Sequence, residues 1–480
     1  MKLTDAFGPM YIKNLKISNF RCFKQYEISF APGITVLFGK NGAGKSTLIH
    51  ALHKALSFIM YSENRYETVK GNGKRKSSKK VVDIKTITNN NPYLHPKGYA
   101  KDDFNNHTDK FIEIEAEADF DAALRNVHWK MSALANKCKL RPAEFKYAFS
   151  DFYAWHVATG KLPLLVYISD CFPHREDNKK CAIVSKIREL RNFGYFDWDE
   201  EEGCTNEWVS RLETNLKQQV QLLAKGLVNN QQGMPVKAEI RKEDEKDFEH
   251  LFREHKAIEN CFKTFTDATL FTVQGNIQVA GLALGKVNGN AGKLCVQTAD
   301  NREIQFRKLP AGYKRLFTIV LDIAYRSYII SECLTTDNPG VAIIDEIDLH
   351  LHPELEKVVL PQLCHTFPHI QFIVSTHSPL VLSGVVTADG RNKILKMESD
   401  FSKPTEMFDI YGLDLNSGMQ LVMDVNPNDD ELNRLISRCA YMLDNGLTEQ
   451  AENLKECIVR KGLISPLAIE ERISNNREKR

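Results

Sequence analysis

Between residues 11 and 38 the apolar positions are first spaced and then contiguous. Ile12, Leu15 and Ile17 lead into Asn19-Phe20-Arg21-Cys22-Phe23 and Ile28-Ser29-Phe30. After a turn at Gly33 comes the unbroken run Ile34-Thr35-Val36-Leu37-Phe38. The whole stretch reads as strands, the last one buried on both faces. From Leu48 the period changes: Leu48, Ile49, Leu52, Leu56 and Ile59 recur at helical spacing. Phe111-Ile112-Glu113-Ile114-Glu115-Ala116 is an alternating strand. Residues 140–270 read as mainly helical around one buried strand, Leu162–Ser169. Trp208, Leu212, Leu216, Val220, Leu223 and Leu227 form one apolar helical stripe, and a charged helix follows from about Arg241 to Lys263. Residues 293–307 read as a hairpin turning at Asp300-Asn301. Phe317–Ile330 then reads as helix, Val341–Ile344 and Gln371–Ser375 as buried strands, with a helix started by His352-Pro353 between them. From Asp429 the tail reads as helices separated by Gly446 and Gly462.

Composition narrows the class. The chain has 480 residues, 64 Lys plus Arg against 62 Asp plus Glu, 42% hydrophobic and 26% charged. That is enough chain for roughly three domains and a large core. A net charge of +2 excludes a bulk polycation that holds nucleic acid by overall charge. One segment departs from this balance. Residues 62–108 are rich in Asn, Lys, Gly and Ser and read as an excursion from the core. From Glu67 to Lys80 they carry six basic residues and one acid. Tyr66 and Tyr93 flank the basic segment without interleaved stacking positions, so a solvated loop and a nucleic-acid contact both stay open. Eleven cysteines include no C-x-x-C pair. Their odd number, with no export pattern in Met1–Tyr11, implies a reducing cytosol. The longest apolar run, Phe317–Tyr325, is broken by Asp322, so no membrane span is expected.

Three motifs carry chemistry. Gly39-Lys40-Asn41-Gly42-Ala43-Gly44-Lys45-Ser46-Thr47 fits G-x-x-x-x-G-K-[ST] between a strand and a helix. Glycines let successive backbone N–H groups converge on a polyphosphate at a helix N-terminus. Lys45 reaches the outer phosphates, and the Ser46 hydroxyl ligates Mg²⁺. At the end of a second strand, Ile343-Ile344-Asp345-Glu346 places Asp345 beside the metal and Glu346 where it can polarise an attacking water. His377 ends a third strand and can donate a hydrogen bond to a γ-phosphate. The run Asp345–His352, with three acids and two histidines, has a second reading as a transition-metal cluster.

Together these residues resemble the ABC-type ATPase head of RecF, Rad50, SMC proteins and OLD nucleases. The resemblance covers residues 11–61 and 300–380 well and the middle loosely. Asn19-Phe20-Arg21 is similar to the family's opening N-F-R motif, which implies that Arg21 lies near the nucleotide. Gly39–Thr47 is similar to Walker A, which makes Gly39, Asn41, Gly42, Ala43, Gly44, Lys45, Ser46 and Thr47 nucleotide-binding residues. Ile343–Glu346 is similar to Walker B, with Asp345 and Ser46 at the metal and Glu346 catalytic beside Lys45 and His377. Ile347-Asp348-Leu349-His350 is similar to the D-loop, and Leu309-Pro310-Ala311-Gly312-Tyr313 occupies the signature position. Asp348 and Gly312 are therefore implied at the nucleotide too. The cofactors implied are ATP and Mg²⁺. The implied assembly is a homodimer of heads sandwiching two ATP molecules, built up into a larger oligomer. Two departures stand out: Pro310 replaces the signature serine and offers neither hydroxyl nor N–H, and no glutamine lies between Gln25 and Gln218 to serve as the Q-loop residue. Slow hydrolysis is expected.

The fold expected is α/β: an ABC-type P-loop ATPase head with mixed β-sheets, a helical insertion lobe and a helical C-terminal tail. Residues 1–125 would form its first half, with 62–108 as a polar, basic insertion. Residues 126–290 would form the helical lobe, 291–398 the second half, and 399–480 the helical C-terminal region. Lys45 and Leu309 are 264 residues apart, and the long helix would span about 35 Å, which excludes an extended tether. The 103 residues after His377 contain no D-x-D, so no built-in TOPRIM nuclease is expected, and the acidic loop Asp197–Glu202 reads as solvated surface. Leu162–Ser169, Gly194-Tyr195, Trp208, Tyr411-Gly412-Leu413-Asp414 and Leu447–Leu463 look similar to stand-alone OLD-like ATPases of anti-phage systems, among them Septu, PARIS and some retrons. That implies a sensor and scaffold that carries or restrains a separate effector, often a nuclease. The alternative is a RecF-like repair ATPase that binds DNA itself. The expected location is cytoplasmic, with no membrane partner.

Overall fold

The computed structural model describes residues 10–69, 78–88, 94–105, 111–134, 138–169, 190–196, 198, 204–225, 227–229, 235–237, 242–267, 277–285, 292–331, 336–408, 410–412, 430–460, 469–470 and 472–474. The chain divides into two units, Met1–Gly412 and Leu413–Arg480.

The first unit opens with β1 (Tyr11–Phe20), β2 (Phe23–Ser29) and β3 (Ile34–Phe38), then α1 (Lys45–Leu56), the pair β4 (Glu63–Val69) and β5 (Ser78–Lys85), and β6 (Phe111–Asp119) and β7 (Val127–Leu134). Next come α2 (Lys146–Thr159), β8 (Leu164–Ile168), α3 (Thr205–Lys225), β9 (Leu227–Asn229), β10 (Pro235–Lys237) and α4 (Lys242–Phe265). Strands β11 (Val279–Leu284), β12 (Leu294–Thr298) and β13 (Glu303–Gln305) lead to α5 (Ala311–Ser331) and β14 (Gly340–Ile344). The unit ends with α6 (Pro353–Thr366), β15 (Ile370–Ser375), α7 (Pro379–Ser383), β16 (Lys393–Lys396) and β17 (Thr405–Met407).

Two sheets enclose α1. The larger has the order β17-β16-β3-β15-β14-β8, parallel except for β17. Strands β3, β8, β14 and β15 are buried at every residue. Cover on both faces is why they read as unbroken apolar runs. The smaller sheet, β2-β1-β6-β7, is antiparallel, and β6 alternates buried and part-exposed positions, as one dry face requires. Helix α1 buries Leu48, Ile49, Leu52 and Leu56, each contributing about 1.5–3 kcal/mol. Trp129 of β7 donates to the Ala55 carbonyl at 2.8 Å and stacks on Phe58, fastening α1 to that sheet. This is the α/β head with mixed sheets that the sequence predicts.

Helix α5 is buried at every residue from Arg315 to Ile330, as a helix packed on all sides must be. At its centre an ion pair is tied to neighbouring elements. Arg326 binds Asp322 at 2.7 Å and the carbonyls of Gly194 and Phe196, while Trp208 of α3 donates to Asp322 at 2.6 Å. Breaking such a buried pair from one side costs about 3–5 kcal/mol. The apolar stripe of α3 is therefore core at Trp208, Leu212 and Leu216, whereas Val220 and Leu223 are exposed. The expected helix stops at Lys225, and Leu227 lies in β9.

Four readings change. Strands β7 and β8 lie inside the stretch expected to form the helical lobe but belong to the two sheets of the head. Strand β17 carries the main sheet past residue 398, so the region from 399 is not uniformly helical. The hairpin β4–β5 structures part of the polar insertion. The end of that insertion also docks back on the head: Arg21 N–H donates to the Asp103 carbonyl at 2.7 Å, and Asn105 N–H to that of Asn19. Most of the basic segment, Tyr93, most of Asp197–Glu202, Leu413, Asp414 and Gly462 lie outside the described residues. Among the described residues, no helix is long and apolar enough to cross a membrane.

In the second unit, α8 (Asp430–Asp444) and α9 (Thr448–Arg460) form a helical hairpin turning at Gly446, whose φ is +76°. Ile436, Cys439, Ala440 and Ile458 form its core with Ile469 and Ile473, and Lys455 pairs with Glu452 and Glu470.

Candidate nucleotide site

The site is assembled by strand order. Strands β3, β15 and β14 are adjacent and parallel, so the loop after Phe38, the His377 segment and the Asp345-Glu346 pair emerge from the same sheet edge. That carboxyl edge is where open α/β sheets present ligand-binding groups.

The loop Gly39–Gly44 is shaped by its glycines. Gly39 has φ +147°, and a β-carbon there would stand 2.4 Å from the Met397 carbonyl. Gly44, at φ +91°, packs against Phe23 and Cys22 and begins α1. Gly42, at φ +82°, faces open space, next to exposed Asn41 and buried Ala43. The N-terminus of α1 carries no side-chain cap and no acid in its first turn. Its N–H groups and Gly42 form a cradle suited to an anion. Lys45 Nζ donates to the loop's own carbonyls, Gly39 at 2.8 Å and Lys40 at 3.1 Å. Burial pushes its pKa down, while Asp345, Glu346 and Asp348 oppose that shift. Ser46 and Thr47 follow on the first turn, and Thr47 hydrogen-bonds Cys22.

Asp345 is buried, and its N–H donates to Ile168 at 2.8 Å, which ties β14 to the end of β8. The fully buried Arg315 of α5 donates to the carbonyls of Ser169 and Asp345 at 3.0 and 3.1 Å. Glu346 has φ +49°. His377 Nε2 lies 4.0 Å from Glu346 Oε1. Burial and the Lys45 charge push the His377 imidazole below its ordinary pKa, against Asp348 and Asp345. Asp348 accepts from Thr376 Oγ1 at 2.6 Å and from the His377 N–H at 3.3 Å, so it anchors the histidine segment of its own chain. The oxygens of Ser46 and Asp345 are the hard donors that Mg²⁺ prefers.

Two other expected residues have different immediate partners. The Arg21 guanidinium binds Asp103 at 3.0 Å, and Lys54 shares that carboxylate at 3.2 Å. Gly312, on the first turn of α5, packs on the turn after Glu346: a β-carbon there would lie 2.7 Å from the His350 carbonyl. Gly312→Ala must push α5 and that turn apart. Shifts of that size cost catalysis heavily, so we expect turnover to fall roughly ten- to hundredfold with ATP affinity nearly unchanged, measured by steady-state ATPase assay and equilibrium titration. His352, part of the second metal reading, caps α6 through Glu354 N–H at 3.4 Å. Among the described residues, no group of three or more His, Cys, Asp or Glu is placed to hold a metal ion.

The sequence reading missed Ser375 and Arg315. Ser375 was visible as a polar residue closing the run Phe372-Ile373-Val374. Arg315 had no signal, because its partners lie 146 and 30 residues away.

Comparison with known proteins shows similarity to ATPases. Residues 10–154 match the AAA ATPase domain, and residues 288–383 match the AAA domain described as putative AbiEii toxin, Type IV TA system. The chain is 26% identical to the retron Vc95 probable ATPase of Vibrio cholerae, over 78% of this chain and 72% of that protein. It is 24% identical to the retron Ec83 probable ATPase of Escherichia coli, over 83% and 73%. It is 23% identical to the Septu protein PtuA of Bacillus thuringiensis, over 77% and 72%. The chain is thus a P-loop ATPase related to retron ATPases and to Septu PtuA.

Proposed function

We propose that this ATPase is the nucleotide-gated sensor and scaffold subunit of an anti-phage defence complex that carries or restrains a separate effector, a nuclease. The observation that carries the reading is one sheet edge holding Lys45, Asp345, Glu346 and His377 together, in a chain whose relatives over most of its length are retron and Septu proteins.

In this reading the N–H groups of Gly42, Gly44 and the first turn of α1 bind the phosphates of ATP. Lys45 exchanges the Gly39 and Lys40 carbonyls for phosphate oxygens. Ser46 and Asp345 would hold Mg²⁺, which would supply charge neutralisation to the phosphates. Glu346 orients the attacking water and takes its proton. His377, whose imidazole is held below its ordinary pKa by burial and the Lys45 charge, donates a hydrogen bond toward the γ-phosphate, and Asp348 keeps its backbone in place. Gly312 and the N-terminus of α5 face the nucleotide of a second copy, so ATP closes a symmetric dimer whose two sites are built from one set of motifs. Pro310 offers no hydroxyl there, which makes turnover slow and suits a gate better than a motor.

Co-expression with the product of the adjacent gene tests the assignment. A stable, ATP-dependent complex with that product is the expected result. A chain that co-purifies with nothing and binds only DNA junctions would replace this reading with the RecF-like one.

A further inference from the structure

Ser375 is the last residue of β15 and has no exposed surface. Its hydroxyl donates to Asp345 Oδ1 and accepts from the Glu346 N–H at 2.8 Å. Its carbonyl accepts from the Ile347 N–H at 3.0 Å. Glu346 therefore sits between two hydrogen bonds to one serine. Its backbone lies in the left-handed region, where an L residue is strained and stays only if its surroundings hold it. The next residue, Thr376, bonds through its N–H to the Leu37 carbonyl of β3 at 3.0 Å, and the one after that is His377. Ser375 is thus joined to the carboxylate assigned to the metal, to the backbone of the assigned base, and to the segment carrying the histidine. Arg315 braces the same strand end from the carbonyl side.

We propose that Ser375 is a positioning residue for ATP hydrolysis: its hydroxyl orients the Asp345 carboxylate toward Mg²⁺ and holds Glu346 in the left-handed conformation that aims its side chain. The inference rests on the roles assigned to Asp345 and Glu346 above. Ser375 is fully buried and its hydroxyl is engaged by Asp345 and the Glu346 N–H, so its loss separates metal use and turnover from phosphate binding.

The test is Ser375→Ala in the full chain, with three readouts: turnover against Mg²⁺ concentration, ATP-analogue affinity in EDTA, and melting temperature. We expect turnover to fall at least tenfold and the half-saturating Mg²⁺ concentration to rise severalfold. Metal-free affinity should stay within twofold. Ser375→Cys, similar in volume and a weak donor, should fall between alanine and wild type. Unchanged turnover and Mg²⁺ dependence in Ser375→Ala overturn the inference. So does a loss of metal-free affinity and melting temperature in step with turnover, which marks a merely structural serine. Failure of the underlying reading looks different: wild-type protein whose turnover does not respond to Mg²⁺ or to Glu346→Gln.

Discussion

Glu346→Gln is expected to abolish measurable turnover while ATP stays bound. A positioned general base contributes about 10²–10⁴-fold, and the amide keeps the size of the carboxylate without its proton affinity. The surroundings support that separation. Glu346 is held through its backbone by Ser375, so the amide inherits the same left-handed conformation. Lys45, Asp345 and His377 keep their positions, and the phosphate loop is untouched. ATP should accumulate in the site, and the closed dimer with it. Size-exclusion chromatography with light scattering should show the mass doubling, or rising further, on adding ATP to the variant, with no return to monomer over hours. Wild-type turnover in Glu346→Gln would remove the residue from the role of base and leave the pair with Asp345 without a catalytic meaning.

Lys45→Ala is expected to remove ATP binding itself, by at least about two orders of magnitude in affinity. Charged hydrogen bonds to phosphate contribute about 1.5–3 kcal/mol each, and each 1.4 kcal/mol is a factor of ten. The side chain is poised for this exchange. Its present acceptors are two carbonyls of the loop, and burial already lowers its preference for the charged state. A diphosphate restores a full counter-charge. Without ATP the variant should melt near the wild-type temperature, because the loop is shaped by Gly39 against Met397 and Gly44 against Phe23 rather than by the ammonium. The two substitutions therefore part cleanly: one keeps ATP and loses turnover, the other loses both. Titration with a fluorescent ATP analogue distinguishes them. Unchanged affinity in Lys45→Ala would sink the phosphate-loop assignment.

What was legible in the sequence follows a physical rule. Strands buried on both faces announce themselves as unbroken apolar runs, and the chemistry sits at their ends. The ends of β3, β14 and β15 were therefore found together with the residues that follow them, while the part Ser375 plays between Asp345 and Glu346 was not. The pairing Arg21–Asp103 was not legible, since nothing local marks an arginine whose acid lies 82 residues on. Nor was β17, three residues long with no period to read. The α3 stripe shows the opposite error. Its spacing was real, but spacing cannot say where along a helix the neighbour ends, and α3 is dry at Leu212 and wet at Leu223. Gly312 had a motif-based reading, while its close approach to His350 is a backbone contact that only the fold reveals.

The order of strands in the main sheet has a consequence for synthesis. Ile34 of β3 pairs with Phe372 of β15, so 338 residues separate the phosphate loop's strand from its neighbour. At translation rates of about 5–20 residues per second, that interval lasts roughly 15–70 s. During it β3 leaves the ribosome without the strands that later cover both its edges, and such edges template aggregation. The proposed site stays incomplete until β14 and β15 have emerged. A product truncated before β14 would lack Asp345, Glu346 and His377, the residues the proposed hydrolysis needs beyond the phosphate loop.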